Sequence, residues 1–286
     1  MKYTTISFPS LGIEFDPIKS FDIGPLNIHM YGIILATGLI LAAWYAMKRS
    51  ERFGFNEDAV LDGVLWITPF AFLCARAYYC AFEWERYADN PIEVLFIWEG
   101  GIAIYGGVLG AVLGMFIFSK IKKLNFFAVL DLVLMAFLIG QSIGRWGNFF
   151  NREAFGGETD SFLRMGLFNS YTGQWEYHHP TFLYESVWNA IGFVILHLLS
   201  RRRKYDGQIA LGYVAWYGLG RAMIEGLRTD SLYIPNTEIR VSQLLAAASC
   251  GVAVIALVYN ARKPHDPAKL YVNQHKAQKE GETNNE

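Results

Sequence analysis

Seven stretches of this chain, roughly residues 28–47, 59–81, 101–119, 126–148, 181–199, 208–227 and 242–259, are apolar over nearly the length a helix needs to cross a bilayer. That length is about 20 residues. Hydrocarbon offers no partner to a backbone N–H or C=O, so such segments fold as helices whose polar groups pair internally. Composition agrees, with 53% hydrophobic and 18% charged residues and a mean hydropathy of +0.21, where soluble domains carry about 25% charged residues. The net charge of −1 argues against a nucleic-acid partner, which asks for a clustered basic face. The segment before the first stretch lacks a basic region followed by an apolar one, so no cleavable signal peptide is read.

Lys and Arg in the short connections set the orientation. The links after the first, third and fifth stretches hold Lys48, Arg49 and Arg52, then Lys120, Lys122 and Lys123, then Arg201, Arg202, Arg203 and Lys204. The tail adds Arg262, Lys263, Lys269, Lys276 and Lys279, whereas the opposite side holds only Lys2, Lys19, Arg86, Arg152, Arg164, Arg228 and Arg240. The expected fold is therefore an all-α integral membrane protein of seven transmembrane helices over residues 1–260, with the amino terminus outside and the carboxyl terminus cytoplasmic. Residues 149–180, too polar to span, are expected to form a small extracytoplasmic cap. The polar tail, 261–286, is expected to be cytoplasmic and disordered.

A charge at the centre of a membrane helix costs about 2.5–3.5 kcal/mol on insertion scales and calls for a reason. Arg76, Asp131, Arg145, Glu185, Arg221 and Glu225 all fall inside the apolar stretches. Pairing between helices is one reading for any single member. The set forms two stripes, however: Gln141, Arg145, Asn148 and Arg152 in the fourth stretch, and Tyr213, Tyr217, Arg221, Glu225 and Arg228 in the sixth. Steps of three and four residues keep each set on one helix face. Both run towards the outer end, so the stripes predict a cavity open to the outer leaflet. Arg145 and Arg221 suit an anion there, because a guanidinium presents a fixed fork of donors to phosphate, and the anion at that depth is a phospholipid headgroup. Gly106, Gly110 and Gly114 have the spacing that lets helices approach closely. Gly100, Gly101 and Gly107 beside Tyr105 suggest a bent segment where a substrate meets backbone.

Some motifs are discounted. Gly140-Gln141-Ser142-Ile143-Gly144 matches GxSxG, but a nucleophile elbow needs a strand, a turn and a helix, and this run is apolar and helical. Asp62-Gly63 and Ala75-Arg76 lack the spacing and downstream aspartates of a phosphatidyl-alcohol phosphotransferase signature. Cys74, Cys80 and Cys250 lie in apolar runs without CxxC spacing and read as small buried hydrophobes. The six histidines show no metal-ligand spacing, so neither metal nor cofactor is expected.

The run Gly144-Arg145-Trp146-Gly147-Asn148-Phe149-Phe150-Asn151-Arg152-Glu153-Ala154-Phe155-Gly156 resembles GRxGNFxNxExxG, the signature of bacterial prolipoprotein diacylglyceryl transferases. Similar matches are Ile28-His29-Met30-Tyr31-Gly32, Ala75-Arg76 with Tyr78, Gly100-Gly101 with Gly106-Gly107, His179-Pro180-Thr181 with Leu183-Tyr184-Glu185, and Tyr217-Gly218 with Arg221, Glu225 and Arg228. They run in order from about residue 20 to 255. The resemblance implies seven helices in the bacterial cytoplasmic (inner) membrane. It also implies transfer of the diacylglyceryl group of phosphatidylglycerol to the lipobox cysteine in the signal peptide of a preprolipoprotein, forming a thioether and releasing glycerol phosphate.

On that reading Arg145 grips the headgroup phosphate, Arg221 stabilises the leaving phosphate, and Glu225 holds Arg221 or takes a proton. Asn148, Asn151 and Glu153 position glycerol hydroxyls, and Tyr31 and Tyr217 line the cavity. His29, Arg76, Gly156, Tyr184, Glu185 and Arg228 complete the expected substrate-binding set. Many members of the family carry His immediately before the Gly-Gly of the third stretch, assigned as the base, where this chain has Tyr105, which the resemblance places in the catalytic set with Arg145, Arg221 and Glu225; either the base lies elsewhere, with Glu225 or Glu153 the candidates, or the arginines stabilise the thiolate without one. A phenol ionising near pH 10, an order-of-magnitude reference value, is a poor base at neutral pH. The competing reading is a phospholipid or anion transporter with an arginine-lined path, for which the sequence lacks the common internal repeat.

Overall fold

A computed structural model describes residues 2–96, 100–229, 231–234 and 237–283, with side chains described up to residue 277. The elements run β1 (Tyr3–Phe8), β2 (Ile13–Phe15), β3 (Ser20–Ile23), β4 (Leu26–His29), α1 (Met30–Arg49), α2 (Glu57–Phe82), α3 (Trp84–Tyr87), α4 (Ile104–Ile121) and α5 (Phe126–Asn151). They continue with β5 (Met165–Asn169), β6 (Gln174–His178), α6 (Thr181–Ser200), α7 (Gln208–Glu225), α8 (Val241–Ala261) and α9 (Tyr271–Thr283). Each apolar stretch expected from the sequence thus folds as a helix. Six of these are long and apolar enough to cross a membrane: α1 with the turn after it, α2, α4, α5, α6 and α8. In α7 the polar stripe of Tyr213, Tyr217, Arg221 and Glu225 lowers the apolarity. The chain is mostly helical, consistent with an all-α membrane protein, and its polar segments add two small sheets.

The chain divides into two compact units. The first comprises Met1–Trp44, Leu134–Lys204 and Gln208–His265. Its larger sheet has the order β2-β1-β5-β6, all antiparallel. The cap expected over 149–180 therefore borrows two strands from the amino terminus, since β1 inserts Tyr3, Ile6 and Phe8 into a core with Phe149, Met165, Leu167 and Phe182. A second hairpin, β3 with β4, leads directly into α1.

Helix contacts in this unit rest on small residues and side-chain hydrogen bonds, as expected where lipid removes any hydrophobic drive between helices. On α1, Gly38 faces Gly140 of α5, where a Cβ would sit 3.2 Å from the Gly140 carbonyl. Between α5 and α6, Ser142 Oγ donates to the Ser186 carbonyl at 2.9 Å and Ser186 Oγ to the Ser142 carbonyl at 2.8 Å. The serine of the GxSxG match is thus a helix-packing residue.

The second unit comprises Tyr45–Val133, Tyr205–Gly207 and Asp266–Glu286. Asn56 caps α2, accepting from the Ala59 amide at 2.9 Å, one of the orphan donors of a helix start. On α4, a Cβ at Gly106 would lie 2.3 Å from Tyr78 Cβ and one at Gly110 2.4 Å from Cys74 Cβ. The glycine stripe therefore brings α2 and α4 into backbone contact.

The tail departs from expectation, because α9 gives it regular structure. The cause is its first residue: the Tyr271 ring packs 5.5 Å from that of Phe55 and its amide donates to Asp206 at 2.9 Å. The ring rests over Gly54, whose φ of +87° and the 3.0 Å gap to Tyr271 leave no room for a side chain.

In the larger sheet, Glu176 accepts hydrogen bonds from Tyr3 Oη and Asn169 Nδ2, both at 2.6 Å. The Tyr3 bond first, then the Asn169 bond, lower its pKa from 4.5 to about 2. A carboxylate depressed in the folded state stabilises it fully above its unfolded pKa, and that stability drains away as pH falls through the folded value. Protection factors of the amides in β1 and β5, exchange rates corrected for the intrinsic pH dependence of exchange, are expected to fall from pH 5 to pH 3 in the wild-type protein. Glu176→Gln is expected to remove most of that pH dependence.

Candidate active site

One carboxylate gathers three arginines of the first unit. Glu185, in the first turns of α6 and 4% exposed, receives Arg145 Nη2 from α5 on Oε2 at 2.5 Å. Its Oε1 receives Arg221 Nη1 from α7 at 3.1 Å, with Arg228 Nη1 at 3.5 Å. Arg221 turns its other nitrogen to Glu225 Oε2 at 2.5 Å, one helical turn along α7. Glu225 is 2% exposed, and Arg240 donates to its backbone carbonyl. Opposite charges attract strongly where water is excluded, and each guanidinium is fixed by a partner matched to its donor fork.

The cluster extends along the fourth-stretch stripe. Arg145 Nη1 donates weakly to Asn148 Oδ1 at 3.4 Å. Asn148 and Asn151 each donate a side-chain amide to Glu153 Oε1 at 3.1 Å. Arg145 is the most open of the three guanidinium groups around Glu185, its side chain 23% exposed against 18% for Arg221 and 11% for Arg228. Its guanidinium is thus the one of the three that solvent reaches most.

The loop after α5 is stitched into the site. Gly156 donates its amide to the His179 carbonyl at 2.9 Å and bridges to Arg228, and Gly157 donates to the Leu227 carbonyl at 2.8 Å. A Cβ at Gly156 would lie 2.7 Å from His179 Cβ and 2.8 Å from the Leu227 oxygen. This glycine is required by packing, tying the end of α7 to the start of α6. Arg152 leaves the stripe: α5 ends at Asn151, Arg152 adopts a φ of +55°, and its buried guanidinium reaches Asp16 and the Pro17 carbonyl.

Tyr31 is half-buried against Gly147, where a Cβ would meet its ring at 2.6 Å. Tyr217 stacks on Tyr213 with planes 3° apart, and Tyr213 donates to Gln141 at 3.2 Å. Tyr184 Oη lies 3.3 Å from His179 Nδ1. His29, exposed, ends β4 opposite Ser20.

Arg76 and Tyr105 belong to the second unit. Arg76 donates Nε to the Val94 carbonyl, Nη1 to those of Gly100 and Gly101, and Nη2 to that of Glu93, all at 2.6–3.0 Å. Four carbonyl bonds make it a hook for the segment leading into α4. Gly100 and Gly101, at φ of +89° and +73°, supply the bend, and a Cβ at Gly101 would strike Arg76 Nη1 at 2.4 Å. Tyr105, exposed, is the second residue of α4. Sequence reasoning missed Arg240, whose signal was only its place beyond the apolar stripe, and the reciprocal serines.

The family model for prolipoprotein diacylglyceryl transferase matches residues 19–259. The phosphatidylglycerol–prolipoprotein diacylglyceryl transferase of Bacillus velezensis is 43% identical over 258 residues, covering 88% of this chain and 94% of that protein. The protein of the same name from Enterococcus faecalis is 41% identical over 254 residues, covering 86% and 91%. That from Listeria monocytogenes is 40% identical over 258 residues, covering 88% and 92%. A match of this extent places the chain in a defined group: it belongs to the prolipoprotein diacylglyceryl transferase family.

Proposed function

We propose that this protein is a phosphatidylglycerol–prolipoprotein diacylglyceryl transferase of the bacterial cytoplasmic membrane, moving the diacylglyceryl group of phosphatidylglycerol to the lipobox cysteine of a preprolipoprotein signal peptide. The observation that carries the reading is the guanidinium cluster around Glu185, with Arg145 the most open member. The names of its relatives supply the substrates. The basic residues in the links and tail support an extracytoplasmic amino terminus, a cytoplasmic tail and α7 as a seventh span, its charges turned to neighbouring helices.

The chemistry follows from the residues. The cysteine sulfur attacks the terminal glycerol carbon of the diacylglyceryl group as the carbon–oxygen bond to phosphate breaks. The phosphate oxygen keeps the electron pair, the thiol proton passes to the phosphate or to solvent, and a thioether and glycerol phosphate result. A free thiol ionises near pH 8.5, a reference value to about a unit, so nearby positive charge favours the reactive thiolate. Negative charge grows on the departing phosphate, where preorganised donors act most strongly. Arg145 binds the headgroup phosphate, and Arg221, held between Glu185 and Glu225, meets the growing charge. Asn148, Asn151 and Glu153 orient the glycerol hydroxyls. No dedicated base is invoked, since the arginines stabilise the thiolate.

The test is purified protein in detergent with phosphatidylglycerol and a synthetic lipobox peptide. A peptide gaining one diacylglyceryl unit with release of glycerol phosphate is the expected result, and no mass change beside an active control enzyme would refute it. Arg145→Ala and Arg221→Ala are each expected to lower turnover by about 100- to 1,000-fold, the scale for losing one donor to developing charge, while still inserting and folding.

Glu185→Gln leaves three guanidinium groups without their shared partner. Breaking a buried pair on one side costs about 3–5 kcal/mol. A clear fall in the thermal midpoint in detergent is expected beside the loss of turnover, and an unchanged midpoint would contradict the bridging role. Tyr105→Phe is expected to keep full turnover and the wild-type pH profile; lost turnover in folded protein would restore an acid or base role to Tyr105.

A further inference from the structure

Trp188 on α6 and Trp216 on α7 form a reciprocal contact. Their rings stack with centroids 4.4 Å apart and planes 19° from parallel. The indole N–H of Trp188 donates to the backbone carbonyl of Trp216 at 3.0 Å, and that of Trp216 to the carbonyl of Trp188 at 2.9 Å. Each ring fills a notch that glycine leaves open on the other helix. A Cβ at Gly192 would lie 2.2 Å from Trp216 Nε1, and one at Gly220 the same 2.2 Å from Trp188 Nε1. Trp188 precedes Gly192, and Trp216 precedes Gly220, by one helical turn. The same Trp-x-x-x-Gly element is thus used twice, on two antiparallel helices.

This contact sets register. A helical carbonyl accepting from the amide four residues on retains a second lone pair, which the indole uses. Sliding α7 along α6 by one turn, about 5.4 Å, would break both bonds together and drive both rings out of their notches. In lipid, close backbone approach and interhelical hydrogen bonds are the forces that choose such a register.

The chosen register is the one the charges need. Glu185 lies three residues before Trp188, and Arg221 directly follows Gly220. The clasp therefore stands next to the 3.1 Å contact between Arg221 and Glu185. Arg145 is seated differently, through the Ser142–Ser186 pair and the 3.1 Å bond from Trp146 Nε1 to Ser186 Oγ. From this geometry, and resting on the function proposed above, we infer that Trp188 and Trp216 are positioning residues for the transfer. Acting through the α6–α7 register, they hold Arg221 on Glu185 where the phosphate departs, and leave Arg145 in place.

A change in kcat without a change in KM separates this role from a general loss of structure. Trp188→Phe, Trp216→Phe and the double variant keep an aromatic ring and lose the N–H donors, and Trp66→Phe, on an exposed position of α2, is the control. Each single variant is expected to lower kcat about tenfold or more. The double is expected to be little worse than either single, because two halves of one contact do not add. KM for phosphatidylglycerol is expected to stay within about twofold, and Trp66→Phe to match wild type.

If wild type transfers the lipid and the folded clasp variants keep wild-type kcat, the inference is overturned while the functional reading stands. A rise in KM at unchanged kcat also overturns it. Absence of turnover in wild type would remove the functional reading and this role with it. Should the phenylalanine variants misfold, Gly220→Ala, which keeps both indoles and fills one notch, is read for the same kcat loss; misfolding of that variant too would make the clasp a folding device and overturn the positioning role.

Discussion

The Glu185 carboxylate is the group on which the site depends. An arginine at membrane depth is costly alone, and so is a carboxylate. Together they allow α5, α6 and α7 to present charge to one another. The pairing is weak evidence for stability, since desolvating several ions offsets much of their attraction. It is stronger evidence for geometry, because one carboxylate with two oxygens admits few arrangements of Arg145 and Arg221 around it.

That geometry is enforced from several directions by contacts without charge. The reciprocal serines hold α5 to α6, and the reciprocal tryptophans hold α6 to α7. The loop after α5 closes one end of the three helices, with Gly156 and Gly157 bonded across to His179 and Leu227. Gln243 of α8 donates to the Ala222 carbonyl on α7 at 2.8 Å, and a Cβ at Gly218 would meet the Ala246 oxygen at 2.8 Å. On the proposed mechanism, a guanidinium preorganised in this way meets developing charge without reorganising.

Much of this was legible in the sequence, and the gaps have physical causes. The helices were legible because bilayer thickness sets their length, and the stripes because helical spacing puts Arg145 and Asn148, or Arg221 and Glu225, on one face. Arg152 broke its stripe because α5 ends at Asn151, one residue earlier, and spacing alone carries no mark of where a helix stops. Arg76 has the same membrane-depth signature as Arg221, yet its bonds go to backbone carbonyls of residues 93–101. Side-chain type cannot distinguish an arginine that holds a loop from one that pairs with carboxylates on other turns and helices. The amino-terminal strands were hidden because β1 pairs with β5, more than 150 residues away, and such pairing leaves no local signal. The central rank of Glu185 was hidden because its partners lie on two other helices.

The same geometry bears on Tyr105, at the position where the resemblance implies a histidine in many members. A dedicated base is needed when the nucleophile's proton must be taken by a group of matched pKa as the bond forms. Where guanidinium groups lower the cost of the thiolate beforehand, the proton can leave to solvent or phosphate before attack, and the base becomes dispensable. Among the described residues, the ion pairs of the Glu185 cluster join α5, α6, α7 and the turn that follows α7. On the proposed mechanism, the residue at the start of α4 is therefore free to differ, provided the hook of Arg76 keeps the Gly100-Gly101 bend in place.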